Sequence, residues 1–79
     1  MARTDERFRR AYNRLLDICS TMAIGDELPA ETALADKMEV SRTIVRTALQ
    51  KLDSDNLIRW EGRTKTLIRK PQAEHRLVP

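Results

Sequence analysis

The sequence predicts a mainly α-helical domain that ends in a small β-hairpin. Three observations support this fold class. Apolar residues recur with a helical period along three successive segments, breaker residues separate those segments, and two short β-prone runs follow Asn56. With 79 residues, of which 41% are hydrophobic and 34% charged, the chain is long enough for one globular domain with a small core.

The first helix is predicted over residues 6–22. Its apolar side chains follow one another at steps of four and three residues, which places them on one face of the helix: Phe8, Tyr12, Leu15, Cys19 and Met22. Gly25 and Pro29 end this pattern, and the proline favours an extended conformation for Leu28. A loop should therefore join the first helix to the second.

The second and third helices are predicted over residues 30–38 and 41–53, with almost nothing between them. Ser41 suits the N-cap of the third helix, because its hydroxyl can accept a hydrogen bond from a free backbone N–H of the first turn. The inward face of this helix consists of Val45, Ala48, Leu49 and Leu52. The opposite face is polar and carries Arg42, Thr43, Arg46, Thr47 and Gln50.

Two short runs, "LIRW" and "KTLIR", are joined by "EGRT" and predict a β-hairpin over residues 57–69 with Gly62 in its turn. Trp60 is expected to cover the small core, and Arg63 and Lys65 are expected at the hairpin tip, where a phosphate contact is slightly favoured over a role in solubility. Two helices with a minimal turn, followed by a hairpin, form a winged helix-turn-helix: three helices and a two-stranded wing. Residues 1–70 should form this domain, and residues 71–79 should be a linker or a disordered tail.

The charge is distributed unevenly along the chain. Lys and Arg less Asp and Glu amount to +2 for residues 1–20, −4 for 21–40, +5 for 41–70 and 0 for 71–79, in agreement with the net charge of +3. A basic third helix suits the major groove of DNA, where arginine can pair with both acceptors of guanine. Two alternatives remain: a solvated basic face without a partner, and a winged helix that binds an acidic protein.

Several functional classes are disfavoured. Cys19 is the one cysteine and His75 the one histidine, so neither a disulfide nor a metal site is expected. The sequence contains no paired carboxylates on a cleft-forming element and no glycine-rich phosphate loop, so we expect neither catalytic residues nor a cofactor. Neither a membrane-spanning apolar run nor a secretory signal is evident, which predicts a cytoplasmic protein without a membrane partner.

The segment "LPAETALADKMEVSRTIVRTALQKLDSDNLI" resembles the DNA-binding domain of the GntR family of bacterial transcription regulators. The motifs that carry the resemblance are "LPAE", "LA", "VSRT", "VR", "AL" and the final "LI". The resemblance implies a winged helix that binds a two-fold symmetric DNA operator as a dimer, with a separate C-terminal domain that senses a metabolite. Only about ten residues follow the wing, too few for a sensor domain, so we expect a part of a longer regulator or a truncated relative. A full-length regulator should be a homodimer, and this chain a monomer or weak dimer.

The resemblance also implies roles for individual residues. Arg42, Thr43 and Arg46 match recognition-helix positions that touch bases and phosphates, Gly62 matches the wing tip, and Ser41 matches the capping position. With Arg63 beside Gly62, the predicted DNA-binding set is Ser41, Arg42, Thr43, Arg46, Gly62 and Arg63. The chain departs from the family pattern at four places. Thr32 stands where an arginine is common, and Glu39 stands where the turn usually has glycine. Thr47 stands where glutamate is usual, and the wing lacks a second glycine.

Overall fold

The computed structural model describes residues 3–78, with side chains from residue 6 onward. Three helices, α1 (Arg3–Ser20), α2 (Glu31–Met38) and α3 (Arg42–Ser54), precede two strands, β1 (Ile58–Glu61) and β2 (Thr64–Leu67), and a short 3-10 turn at Ala73–His75. The predicted fold class, three helices followed by a two-stranded wing, is confirmed. α1 begins and ends slightly earlier than the sequence predicts.

The core lies between α1 and α3, and α2 and the hairpin close it on the remaining sides. Tyr12, Leu15 and Cys19 of α1 are fully buried, whereas Phe8 and Met22 at the two ends of the predicted stripe are partly buried. All four inward residues predicted for α3 are buried. The hairpin and the residue before it contribute Leu57, Ile58 and Leu67. The burial of one face of α3 therefore determines which of its residues face solvent.

The turn between α2 and α3 contains a non-glycine residue in a left-handed conformation. Glu39 has φ 57° and ψ 46°, and the N–H of Val40 donates to the carbonyl of Ala35 at 3.1 Å. This pattern closes α2 in the way that glycine usually does. Ser41 then caps α3, since its Oγ accepts a hydrogen bond from the N–H of Ile44 at 3.2 Å. The predicted cap is confirmed.

The wing is an antiparallel pair in which Ile58 lies opposite Leu67 and Trp60 opposite Lys65. The segment before α2 also pairs with β2, because the N–H of Leu28 donates to the carbonyl of Lys65 at 2.7 Å. A further bridge joins Glu27 to Thr66. The predicted loop between α1 and α2 is thus partly extended and connects the wing to the start of α2.

Residues 71–78 follow a defined path along α1. The Asn13 side chain donates to the carbonyl of Leu77 at 2.8 Å and accepts from the N–H of the same residue at 2.9 Å. Arg76 Nη1 lies 3.0 Å from Asp17 Oδ1. The assignment of residues 71–79 as a linker or a disordered tail stays a prediction.

Across residues 3–78, no helix combines the length and the apolar character that crossing a membrane requires.

Candidate nucleic-acid interface

The exposed face of α3 forms one side of a shallow groove of about 400 Å³. Burial of Val45, Ala48 and Leu49 turns the remaining positions of the helix outward. Five of the six residues that line the groove lie on α3 and the sixth lies at the start of α2: Arg42, Thr43, Arg46, Thr47, Gln50 and Glu31. The groove thus contains three of the predicted DNA-binding residues, namely Arg42, Thr43 and Arg46.

Arg42 and Thr43 occupy the first turn of α3 and are exposed. Within residues 6–78, Arg42 takes part in no ion pair. Thr43 supports the neighbouring turn through its carbonyl, which accepts a hydrogen bond from Thr47 Oγ1 at 2.9 Å. The guanidinium of Arg42 is therefore available to an incoming anion, whereas the hydroxyl of Thr47 already donates within the helix.

Arg46 is held by Glu31, the first residue of α2. Arg46 Nε donates to Glu31 Oε2 at 3.2 Å, and Arg46 Nη2 donates to Glu31 Oε1 at 2.9 Å. The hydrogen bond from Arg46 is the main reason that the pKa of Glu31 lies below its usual value, and the positive charges of Lys65 and Arg42 lower it further. The pair is charge-assisted and uses both carboxylate oxygens, which favours one orientation of the guanidinium.

Sequence reasoning did not identify Glu31 as part of this surface. The two residues of the pair lie fifteen positions apart on different helices. Glu31 belongs to the "LPAE" motif, which was the one available signal, but the motif alone does not say which side chain the carboxylate meets. The packing of α2 against α3 brings the two together.

The wing tip lies outside this groove. Gly62 has φ 60°, a left-handed conformation that the turn between β1 and β2 requires and that glycine adopts without strain. Arg63 follows it in the turn and is exposed. Ser41 is likewise outside, because it lines a different groove and uses its Oγ as the cap of α3. The six predicted residues therefore form one cluster of three, a capping residue and a separate wing tip.

The placement of Lys65 at the hairpin tip was wrong. Lys65 lies within β2 opposite Trp60, its residue surface is only 4% exposed, and its Nζ lies 5.5 Å from the centroid of the Trp60 ring. The alternation of side chains along β2 turns Lys65 to the inner side, where the aromatic ring stabilises its charge. Trp60 is partly buried against the core, as predicted, and its Nε1 donates to the carbonyl of Gly62 at 3.1 Å.

A second, larger groove of about 900 Å³ lies between α1 and the turn that precedes α3. Its lining is rich in arginine and contains Arg7, Arg9, Arg10, Arg14 and Arg76. Glu6 binds Arg9 and Arg10, and Asp17 binds Arg76. A second arginine-rich surface therefore lies beside α1, and three of its five arginines are ion-paired. No group of His, Cys, Asp and Glu in the described part of the chain could hold a metal ion.

The sequence model that describes the gntR family of bacterial regulatory proteins matches residues 9–68. This chain belongs to the GntR family. The matched range contains the helix-turn-helix and both strands of the wing.

Two curated relatives of this GntR-family chain have related names. It is 41% identical over 64 residues to the HTH-type transcriptional repressor PhnF of Mycolicibacterium smegmatis. The aligned segment covers 81% of this chain and 25% of PhnF. It is 39% identical over 54 residues to the Uxu operon regulator of Haemophilus influenzae. That alignment covers 67% of this chain and 20% of the regulator. The chain thus spans about a quarter or less of the length of these relatives.

A solved structure supports the same relationship. The crystal structure of PhnF from Mycobacterium smegmatis superposes on 80% of this chain and 27% of its own with a TM-score of 0.63 and 40% sequence identity. The GntR chain described here is therefore a winged helix-turn-helix DNA-binding domain of a transcription regulator. The family consists of regulators rather than enzymes.

Proposed function

We propose that this domain binds DNA sequence-specifically, with the recognition helix, residues 41–53, in the major groove and the wing, residues 57–69, at the minor groove. The observation that supports this proposal is the cluster of Arg42, Thr43 and Arg46 on the exposed face of α3. The opposite face of the same helix is locked into the core. The major groove of B-DNA admits one α-helix and presents acceptors that an arginine can recognise.

The start of α2 is suited to a phosphate of the DNA backbone. Its N-cap residue, Ala30, provides no side-chain acceptor, so the first N–H groups of α2 are open to an external one. The positive end of the helix dipole favours an anion at this position. Such a contact would set the register of α3 on the duplex without reading a base.

At the wing, Gly62 would approach the minor groove and Arg63 would bind a phosphate. In a full-length regulator, a homodimer would present two such domains to a two-fold symmetric operator in the cytoplasm. This chain alone should be a monomer or weak dimer, because only three large apolar side chains of the described residues are exposed, Ile24, Ile68 and Val78. Analytical ultracentrifugation at micromolar concentration should give the mass of a monomer, and a tight dimer would contradict this part of the proposal.

Fluorescence anisotropy with labelled duplexes tests the central proposal. A binding site is first selected from random genomic fragments, and the affinity is then measured on that site and on a scrambled duplex at several salt concentrations. We expect preferential binding to the selected site and a steep loss of affinity with salt, because binding releases counterions from the phosphates.

The variants Arg42→Ala and Arg46→Ala should weaken binding to the selected site. Lys37→Ala is the matched control, since Lys37 is an exposed cation on α2 that does not line the groove. The proposal is wrong if none of Arg42→Ala, Arg46→Ala and Arg63→Ala reduces the affinity. Absence of DNA binding together with capture of an acidic protein would instead support the interaction-module alternative.

A further inference from the structure

We propose that Glu31 determines base specificity by holding Arg46 in an orientation that selects guanine at one position of the operator. Glu31 is in this view a positioning residue that acts through Arg46. The inference rests on the proposed function, because it assumes that α3 enters the major groove. It adds a specificity residue outside the recognition helix.

The hydrogen bonds leave a defined edge of Arg46 available. A guanidinium has five N–H donors, and Glu31 engages the side of the group that carries Nε and one N–H of Nη2. The outer edge, made of Nη1 and the second N–H of Nη2, keeps two parallel donors. Guanine presents two acceptors, N7 and O6, in the major groove, whereas adenine presents one acceptor and one donor. A fixed edge with two donors therefore matches guanine and meets a donor on adenine.

The exposure of the two side chains is consistent with this division of roles. The Glu31 side chain is 19% exposed, whereas that of Arg46 is 62% exposed. The carboxylate is therefore the sheltered end of the pair and the guanidinium is the end that faces solvent. The backbone three residues before Glu31 is also held, because the N–H of Leu28 donates to the carbonyl of Lys65 in β2. Arg46 is thus bound to a part of the structure that the wing supports.

Preorganisation explains why this arrangement should increase selectivity. A free arginine has several rotatable bonds, loses rotamer freedom when it binds, and can turn to a phosphate or to another base. Glu31 restricts these choices before DNA arrives. Its negative charge also repels the phosphates of every DNA sequence. Glu31 should therefore reduce affinity for DNA in general while it increases the preference for the correct base.

The two effects have opposite signs and can be measured separately. The variant Glu31→Gln keeps the shape of the side chain but removes its charge and one of the two acceptors for Arg46. We expect its affinity for a scrambled duplex to rise by a small factor, because one repulsive charge is gone. The preference for the selected duplex over one with the Arg46-facing guanine replaced by adenine should fall by roughly tenfold.

Two further variants complete the experiment. Glu27→Gln is the matched control, since Glu27 is an exposed carboxylate near the start of α2 that makes no ion pair within residues 6–78. It should leave the base preference unchanged. In an Arg46→Ala background, Glu31→Gln should no longer alter the preference, because the residue through which Glu31 acts is absent. The base pair that faces Arg46 is identified as the operator position at which Arg46→Ala no longer discriminates between bases.

Three results would overturn the inference while the proposed function stands. The first is an equal change in affinity for all duplexes in Glu31→Gln. The second is an equal loss of base preference when Glu31→Gln is introduced into the Arg46→Ala background. The third is a base other than guanine at the position that depends on Arg46. Failure of the unmodified protein to bind any DNA would overturn the proposed function itself. Thermal unfolding of each variant establishes that the fold is retained.

Discussion

Tyr12 Oη donates a hydrogen bond of 2.6 Å to Oδ2 of Asp55, the residue that follows α3. Tyr12 lies in α1, so the bond crosses the interface between the first and the third helix. Lys51 Nζ lies 3.4 Å from the same carboxylate oxygen and 5.3 Å from the centroid of the Tyr12 ring. The three side chains hold the C-terminal end of the recognition helix on α1.

Tyr12→Phe should lower the free energy of unfolding by about 1–2 kcal/mol, since it removes a hydrogen bond to a partly buried carboxylate and retains the packing of the ring. Urea unfolding measures this change. Asp55→Ala and the double variant complete a thermodynamic cycle that isolates the pair. Strict additivity of the two single changes would show that the bond contributes nothing to stability.

The stability of the domain should decrease in alkaline solution, in part because of Cys19. Burial raises the pKa of the Cys19 thiol to about 11, from 9.0. The unfolded chain loses this proton at lower pH than the folded protein does. The contribution of the protonated Cys19 thiol to the free energy of unfolding is therefore fully present below pH 9.0 and is lost as the pH rises to about 11.

Burial and the hydrogen bond to Asp55 also raise the pKa of the Tyr12 phenol. Cys19→Ala removes the Cys19 titration and leaves that of Tyr12 in place. Urea unfolding at several pH values between 9.0 and 11 should therefore give a shallower decline for Cys19→Ala than for the unmodified protein. Parallel declines for the two proteins would contradict the assignment to Cys19.

Glu39→Gly should stabilise the domain. Glu39 has φ 57°, and a left-handed conformation costs a non-glycine residue roughly 1 kcal/mol or more. This strain should exceed the extra freedom that glycine gives the unfolded chain. We expect the melting temperature to rise by a few degrees. Glu39→Gln is the control, because it removes the same charge and keeps the strain; an equal rise for Glu39→Gln would attribute the effect to charge.

Arg63→Ala should weaken binding to all DNA sequences to a similar extent. Arg63 lies in the exposed turn of the wing with Gly62, where it can reach a phosphate. The slope of log affinity against log salt should become less steep by about one phosphate contact. Arg46→Ala is the contrasting variant, and its loss of affinity should be larger on the selected site than on the scrambled duplex. A selective loss for Arg63→Ala would assign base recognition to the wing tip.

Local signals in the sequence were sufficient for the elements of the fold. The apolar period of α3 predicted its buried face, and the hydroxyl of Ser41 predicted its cap, because both depend on residues within one or two turns. The same applies to the closing turn at Glu39 and to the hairpin around Gly62. The placement of Arg42, Thr43 and Arg46 on one exposed face follows from helical geometry alone.

Contacts between elements that are distant in sequence required the tertiary structure. Glu31 reaches Arg46 only because α2 packs across α3, and Asn13 binds the backbone of Leu77 only because the last residues return along α1. Lys65 is buried because β2 turns that position toward Trp60, although its charge predicts exposure. The sequence by itself thus determined the helices, the wing and the basic face of α3. The tertiary structure decided which side chains those elements bring into contact, because helical and strand periodicity specify the face on which a residue lies but not the residue that it meets.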